Sequence, residues 1–254
     1  PSLDNGLVIE LDGNVTSRPY IDMTLSILNK LGIYAKFNDN TIIIKPKKDK
    51  IINTEYEVEA DWSSASYFFS IVALSKNIEL SFLNFRKDSF QGDINVCKYY
   101  ELFGVKTTFQ NGKLIVKKRN NFNYPEKIII DLKDNPDLAQ TIIVTAFGLN
   151  IPTKLTGLST LKVKETDRIE ALRNELTNLG ASCIIDDESI EFFKSNKLNK
   201  NYIINTYDDH RMALAFAPLS VIFPIEIQDP KVVSKSFPEF WNILEKLNFS
   251  IDFV

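Results

Sequence analysis

One pattern recurs four times along the chain and limits its fold more than any other feature. A helix-like run closes on Gly or Asn and opens at once into β-rich sequence. LSILNKLG leads into IYAKFNDNTIIIK, YYELFG into VKTTFQNGKLIVKK, LRNELTNLG into ASCIIDDESIEFF, and ILEKLN into FSIDFV. Gly32, Gly104 and Gly180 stand where a left-handed residue ends a helix, and Asn248 takes that place in the last copy. NDN, QNG and DDES supply turn residues for hairpins. The copies lie about 70 residues apart, and self-similarity at a fixed period is an architectural signal.

Each full copy also holds an earlier strand, helix and strand. The second reads YEVEA, SSASYFFSIVALS, NIELSFL and the QGDINVCKYYELFG helix before its hairpin; the third reads KIIIDL, PDLAQTIIVTAFGL, PTKLTGL and ETDRIEALRNELTNLG. The fourth reads YIINTY, DHRMALAFAPLSVI, PIEIQD and FPEFWNILEKLN, with FSIDFV as a strand that lacks its hairpin partner. The first is partial: LVIELDG, a helix from about Pro19 to Leu31, and a hairpin. The predicted class is therefore α/β (α+β), built of repeated βαβαββ units.

The unusual residues gather at helix starts. In VKETDRIEAL, Lys164, Glu165, Asp167 and Arg168 crowd the point where a helix begins. Acidic residues suit that end of the macrodipole, whereas cations do not. Lys164 and Arg168, four apart, are predicted to share one face of the first turn. Ser17 and Tyr20 mark another start, Asp61, Ser63 and Ser64 a second, Asn135 and Asp137 a third, and Asp208, Asp209, His210 and Arg211 a fourth; Lys235 precedes FPEFW. Ser, Asp and Asn have a plain reading as caps. Lys164, Arg168, Arg211 and Lys235 at equivalent places in successive copies suggest instead cations gathered for a polyanionic small molecule. Helix N-termini favour anions, and the arginine fork suits carboxylate and phosphate.

Other classes fall away. A formal net charge of −3 argues against a general nucleic-acid binder. The run MALAFAPLSVIF is well short of the roughly 20 residues a membrane helix needs. No leader-like stretch opens the sequence, so the expectation is a cytoplasmic protein. Cys97 and Cys183 lie far apart inside regular elements, as packed thiols do, and no metal-ligand spacing occurs, so no metal or cofactor is expected.

VKETDR at 163–168, YDDHRMALAFAPL at 207–219, SKSFPEFW at 234–241 and SRPYIDMTL at 17–25 resemble the 5-enolpyruvylshikimate-3-phosphate synthase family; DWSSASYF at 61–68 and SFQGD at 89–93 add to the likeness. The resemblance runs through the whole chain in order. It implies an enolpyruvyltransferase inside-out, barrel-like fold, in which residues 1–58 are the last partial unit of a first domain. Residues 59–254 are then a second domain of three units whose final strand is missing. It also implies transfer of the enolpyruvyl group of phosphoenolpyruvate to the 5-hydroxyl of shikimate 3-phosphate, with phosphate released and no metal or organic cofactor. By matching positions, Arg168, Arg211 and Lys235 hold phosphoenolpyruvate, while Ser17, Tyr20, Asp137 and Lys164 hold shikimate 3-phosphate. Asp137 and Glu165 move protons, and Lys164 and His210 stand beside them in the reacting site.

Two departures qualify this picture. Thr160 stands where many members carry an asparagine that contacts the sugar-like ring. The family's N-terminal part, which brings a lysine, a serine and arginines to the two ligands, is outside this sequence. That part, as a separate piece of the same enzyme, is the expected partner of FSIDFV, and the present chain alone is expected to be inactive. The alternatives are the sister enolpyruvyltransferase acting on UDP-N-acetylglucosamine, which uses a loop cysteine, and a non-catalytic fragment that keeps the fold.

Overall fold

A computed structural model of the chain describes residues 1–47 and 55–253, and the repeated unit is visible in it copy by copy. The first copy comprises β1 (Leu7–Glu10), α1 (Arg18–Lys30), β2 (Ala35–Asn38) and β3 (Thr41–Ile44). The second comprises α2 (Trp62–Leu74), β4 (Glu79–Leu83), α3 (Val96–Glu101), β5 (Val105–Gln110) and β6 (Lys113–Lys118). The third comprises β7 (Ile128–Asp131), α4 (Ala139–Leu149), β8 (Thr153–Thr156), α5 (Arg168–Asn178), β9 (Ser182–Ile185) and β10 (Ile190–Phe193). The fourth comprises β11 (Ile203–Ile204), α6 (His210–Phe216), β12 (Glu226–Ile227) and α7 (Phe240–Lys246).

Among the described residues only the third copy displays every strand, in the order β7-β8-β10-β9, with β7 parallel to β8 and the hairpin antiparallel to it. The first and second copies show the same order without its leading strand, as β1-β3-β2 and β4-β6-β5. The fourth shows only the leading parallel pair, β11-β12. Four sheets are thus four portions of one design. The QNG turn joins β5 to β6 with Asn111 and Gly112 both at positive φ, the geometry that suits the twist of a two-residue hairpin. Gly32, Gly104, Gly180 and Asn248 are all left-handed, as their helix-ending positions require.

Two expected strands do not form. YEVEA, at 56–60, is tied to the end of β4 only by Ala60 N to Asn84 O (2.8 Å) and Asn84 Nδ2 to Val58 O (3.0 Å), too few bonds for a ladder. Residues 249–253 of FSIDFV also form no strand. A strand exists only through its partner, and none lies alongside among the described residues. These residues instead wall an open groove of about 870 Å³ together with Ile203, Ile225, Ile227, Trp241 and Leu244.

Helices α2, α4 and α6 are inside and the sheets outside. WSSASYFFSIVAL, AQTIIVTAFGL and HRMALAF have no continuous charged face, and a helix apolar on nearly all sides is driven inward. Every residue of α2 except Ser64 is buried, as are residues 139–147 of α4 and 212–216 of α6. The sheets cover this bundle and alternate, with β7 and β10 showing one face in and one out. The buried apolar residues form two clusters: a small one of Leu25, Ala35 and Ile42 in the first copy, and a large one spanning the other three. α1 meets the larger body where Ser17 N donates to Lys133 O (3.0 Å) and where Pro19 lies against Gly92.

Two glycines with positive φ should respond differently to alanine. A Cβ at Gly112 meets open space, so Gly112→Ala carries only the left-handed penalty of about 1 kcal/mol. A Cβ at Gly180 lies 2.4 Å from the backbone oxygen of Lys197, so Gly180→Ala should cost about 2 kcal/mol or more. Urea unfolding of both variants checks this; equal losses would contradict it.

Candidate functional site

Buried helices leave their first N–H groups without intrahelical partners, and side chains at the helix starts must satisfy them. Asp61 caps α2, accepting from Ser63 N (3.0 Å) and Ser64 N (3.1 Å). Asp167 caps α5, accepting from Glu170 N (3.1 Å), and Asp209 caps α6, accepting from Arg211 N (2.8 Å). The plain capping reading of Asp61 is therefore correct. Ser63 does something else: its hydroxyl donates to the buried carboxylate of Asp93.

Arg168 is the centre of the polar end. Only 2 % of its side chain is exposed, and three carboxylates surround it. Nε donates to Asp209 Oδ2 (2.6 Å), Nη1 to Asp137 Oδ1 (3.0 Å), and Nη2 to Glu165 Oε2 (2.5 Å) and Asp209 Oδ1 (3.3 Å). Asp137 collects three cations in turn: Arg168, Lys164 (3.4 Å) and Arg211 (3.4 Å). Arg211 also donates to the Asp137 backbone oxygen (3.3 Å) and the Tyr67 hydroxyl (3.4 Å). His210 turns Nδ1 toward Glu165 (3.5 Å) and Asp209 (3.8 Å) without a hydrogen bond to either.

Asp137, Lys164, Glu165, Arg168, His210 and Arg211 thus form one cluster. Lys235 lies at its edge, donating to Asp208 O (2.6 Å) and Asp208 Oδ1 (2.9 Å), next to Asp209. Tyr20 joins from the first copy, with Asp93, Asp137 and Arg211 as its charged neighbours. Ser17 lies beside the turn leading to Asp137; it is left-handed at φ 54 and its side chain caps nothing. One expectation needs correction. Lys164 is not on the first turn of α5, because the helix begins only at Arg168 and Lys164 is extended ahead of it. The two cations meet through their common carboxylate, Asp137, and not through helical spacing.

Sequence reasoning passed over Asp93 and Tyr67 as functional groups. Asp93 accepts from Ser63 and from Asn135 Nδ2 (3.2 Å). The available signals were their places in SFQGD (89–93) and DWSSASYF (61–68), two stretches that resemble the family, which did not by themselves assign either residue a role. Asn135 is itself buried and also accepts from Asn95 Nδ2 (2.9 Å) and Tyr99 Oη (3.2 Å).

The local field sorts the titratable groups. Burial pushes Asp137 up, but Arg211, Lys164 and Arg168 outweigh it and hold the carboxyl below its usual range. Asp93 goes the other way: burial raises it despite the bonds from Ser63 and Asn135 and the nearby Arg211 charge. Burial and then the Arg211 charge lower His210, so its imidazole is neutral. Arg211 rises, because Tyr67, Asp137 and Asp93 overcome the effect of burial. Among the described residues, Glu165, Asp209 and His210 bring one possible metal-ligand atom each within 4.8 Å of one another. Asp209 has both oxygens committed to Arg168 and to the α6 cap, and Glu165 also serves Arg168, so these two carboxylates act as its counter-ions.

None of these residues lines the 870 Å³ groove. The cluster is a packed ion network in which three cations face three carboxylates. An anionic ligand can enter it by taking over contacts that the carboxylates now make.

Similarity to known proteins runs through nearly the whole chain. The profile described as EPSP synthase (3-phosphoshikimate 1-carboxyvinyltransferase) matches residues 1–244. A 3-phosphoshikimate 1-carboxyvinyltransferase of Bacteroides fragilis is 40% identical over 99% of this chain and 61% of its own length. One of the same name from Pseudoalteromonas translucida is 34% identical over 98% of this chain and 57% of its own. The chain therefore spans about three-fifths of the length of the curated relatives it matches. Among solved structures, an EPSP synthase from Acinetobacter baumannii superposes with TM-score 0.72 at 22% identity, over 95% of this chain and 57% of that one. The enolpyruvyl transferase NikO from Streptomyces tendae gives TM-score 0.66 at 11% identity, over 99% and 57%. At these identities the solved structures establish the fold alone. Among the described residues no helix is long and apolar enough to cross a membrane.

Two outcomes are expected from the ion network. Arg168→Ala leaves the fully buried Asp209 without its partner and should destabilise the fold by about 3–5 kcal/mol in denaturant unfolding; Arg168→Lys should recover only part, since it cannot bridge three carboxylates. His210 and Asp137 both titrate below their unfolded values, so the unfolded chain takes up protons first. Stability should fall as the pH drops below about 6.5 through His210, and again below about 4 through Asp137. His210→Asn should flatten the first decline in unfolding titrations at successive pH values; an unchanged slope would assign it elsewhere.

Proposed function

The chain belongs to the EPSP synthase family, and from that premise we propose that it carries one wall of a site transferring the enolpyruvyl group of phosphoenolpyruvate to the 5-hydroxyl of shikimate 3-phosphate. The observation that carries this reading is Asp137, gripped by Lys164, Arg168 and Arg211 beside Glu165 and His210. We read residues 1–58 as the tail of a first domain and residues 59–254 as most of a second. The separate small cluster in the first copy supports that division. Residues 48–54, near the proposed boundary, lie outside the described residues.

In this reading Arg168, Arg211 and Lys235 take the carboxylate and phosphate of phosphoenolpyruvate, while Ser17, Tyr20, Asp137 and Lys164 hold shikimate 3-phosphate. The 5-hydroxyl oxygen attacks the enol carbon as the methylene gains a proton; the resulting tetrahedral intermediate then expels phosphate while its new methyl group gives a proton back to Glu165, which restores the carbon–carbon double bond. Asp137, held ionised, is a weak base toward a free hydroxyl. It accepts the proton as the new C–O bond forms and the hydroxyl becomes acidic. Glu165, bonded to Arg168 and facing His210, delivers a proton to the methylene carbon. The cations stabilise the charge that builds on the leaving phosphate. We read the open edge of the β11-β12 pair as the seat of a strand from another part of the same enzyme, which the groove beside it can admit. Cys97 in α3 and Cys183 in β9 have thiols pushed up by burial to about 11 and about 12, which disfavours an enolpyruvyltransferase that works through a loop thiolate.

Replacing Glu165 by Gln in the full-length enzyme should lower turnover roughly 100-fold or more while leaving substrate affinity nearly intact. Steady-state kinetics with both substrates measures it. Near-normal turnover would reduce Glu165 to a counter-ion of Arg168. Calorimetric titration of phosphoenolpyruvate and shikimate 3-phosphate into this chain, with and without the remainder of the enzyme, tests the wider reading.

A further inference from the structure

The segment that feeds His210 and Arg211 into the site is strained. Tyr207 and Asp208 are consecutive non-glycine residues at φ 54 and 56, a left-handed pair that the chain does not hold without help. Two anchors supply that help. Lys235 takes both the backbone oxygen and a side-chain oxygen of Asp208. Glu175, fully buried on α5, takes the residues on the other side. It accepts from Tyr207 Oη (2.7 Å), Asn205 N (3.0 Å), Asn205 Nδ2 (3.3 Å) and Tyr202 Oη (3.4 Å).

A buried carboxylate met by these neutral donors is an expensive way to fill core space, since an apolar residue there avoids the desolvation cost. Its position shows what it accomplishes. Arg168 and Glu175 are seven residues apart on α5, so they lie on one face two turns from each other. Arg168 grips Asp209 and Glu175 grips Asn205 and Tyr207, so a single rigid helix holds the 205–211 segment at both ends of the left-handed pair. With both ends fixed, Asp209 caps α6 and Arg211 points at Asp137.

We propose that Glu175 is a positioning residue for the anion-binding arm of the site, acting through the Tyr207–Asp208 turn on Arg211 and on the Asp208 partner of Lys235. The proposal rests on the reading in which those cations hold phosphoenolpyruvate. It assigns Glu175 no contact with substrate. Shikimate 3-phosphate, whose proposed contacts lie on other elements, should be little affected by its loss.

The test is steady-state kinetics of the full-length enzyme with Glu175→Gln, Tyr207→Phe, Arg211→Ala and the Glu175→Gln/Arg211→Ala double variant. Glu175→Gln should raise KM for phosphoenolpyruvate roughly tenfold to hundredfold, with KM for shikimate 3-phosphate changed less than about threefold. Tyr207→Phe, which removes one hydroxyl and is the milder change should Glu175→Gln fold poorly, should move KM in the same direction by less. In the Arg211→Ala background the Glu175→Gln effect should shrink, because its route through Arg211 is gone. A parallel rise in both KM values, fully additive effects, or a phosphoenolpyruvate KM unmoved in the active Tyr207→Phe variant would overturn the positioning role while leaving the functional reading in place. If Arg211→Ala itself leaves phosphoenolpyruvate binding untouched, the functional reading falls and the role of Glu175 with it.

Discussion

Everything at the polar end of this molecule depends on a guanidinium that has been taken out of water. Arg168 is 2 % exposed, and a charge so placed survives only if counter-charges meet it with good geometry. The partners come from three places: Asp137 ahead of α4, Glu165 ahead of α5, and Asp209 at the start of α6. One side chain therefore locks three helix starts from two copies of the repeat into register. The fork geometry makes this possible, because five N–H groups in a plane can address several carboxylates where an ammonium cannot.

The architecture explains why such a cluster exists at all. Once α2, α4 and α6 are buried among apolar neighbours, their first N–H groups need acceptors. Asp61 and Asp209 provide them for α2 and α6, and Asp137 sits in the turn that opens α4. Acids gathered in this way call for cations, and Lys164, Arg168 and Arg211 answer them. Capping and ligand chemistry are then one arrangement seen from two sides. Asp209 shows this most directly, since the same carboxylate caps α6 and holds Arg168.

Two carboxylates that share Arg211 as a neighbour are shifted in opposite directions. Asp137 has cations on several sides and is held ionised, whereas Asp93 has mainly hydroxyl and amide partners and is pushed up by burial. Environments that separate the titration of similar groups are a common feature of sites that move protons. The Ser63–Asp93–Asn135 linkage also joins the second copy to the third.

The local sequence was enough to define the repeat, the helix-ending residues at 32, 104, 180 and 248, and the QNG turn. Each rests on short-range rules: helical period, left-handed tolerance and hairpin geometry. Much of the ion cluster was legible too, since its charged residues stand at helix starts. Strand formation at YEVEA and FSIDFV was not legible, because a strand is a property of two segments and its partner cannot be read from one. Nor was the meeting of Lys164 with Arg168 through Asp137, the burial of Arg168, or the part played by Glu175. Those depend on which helix starts the packed bundle brings within a few ångströms of each other. The sequence by itself determined the elements and the chemistry available at their ends; the tertiary structure alone decided which charges face one another, because Coulomb and hydrogen-bond energies depend on distances that packing sets.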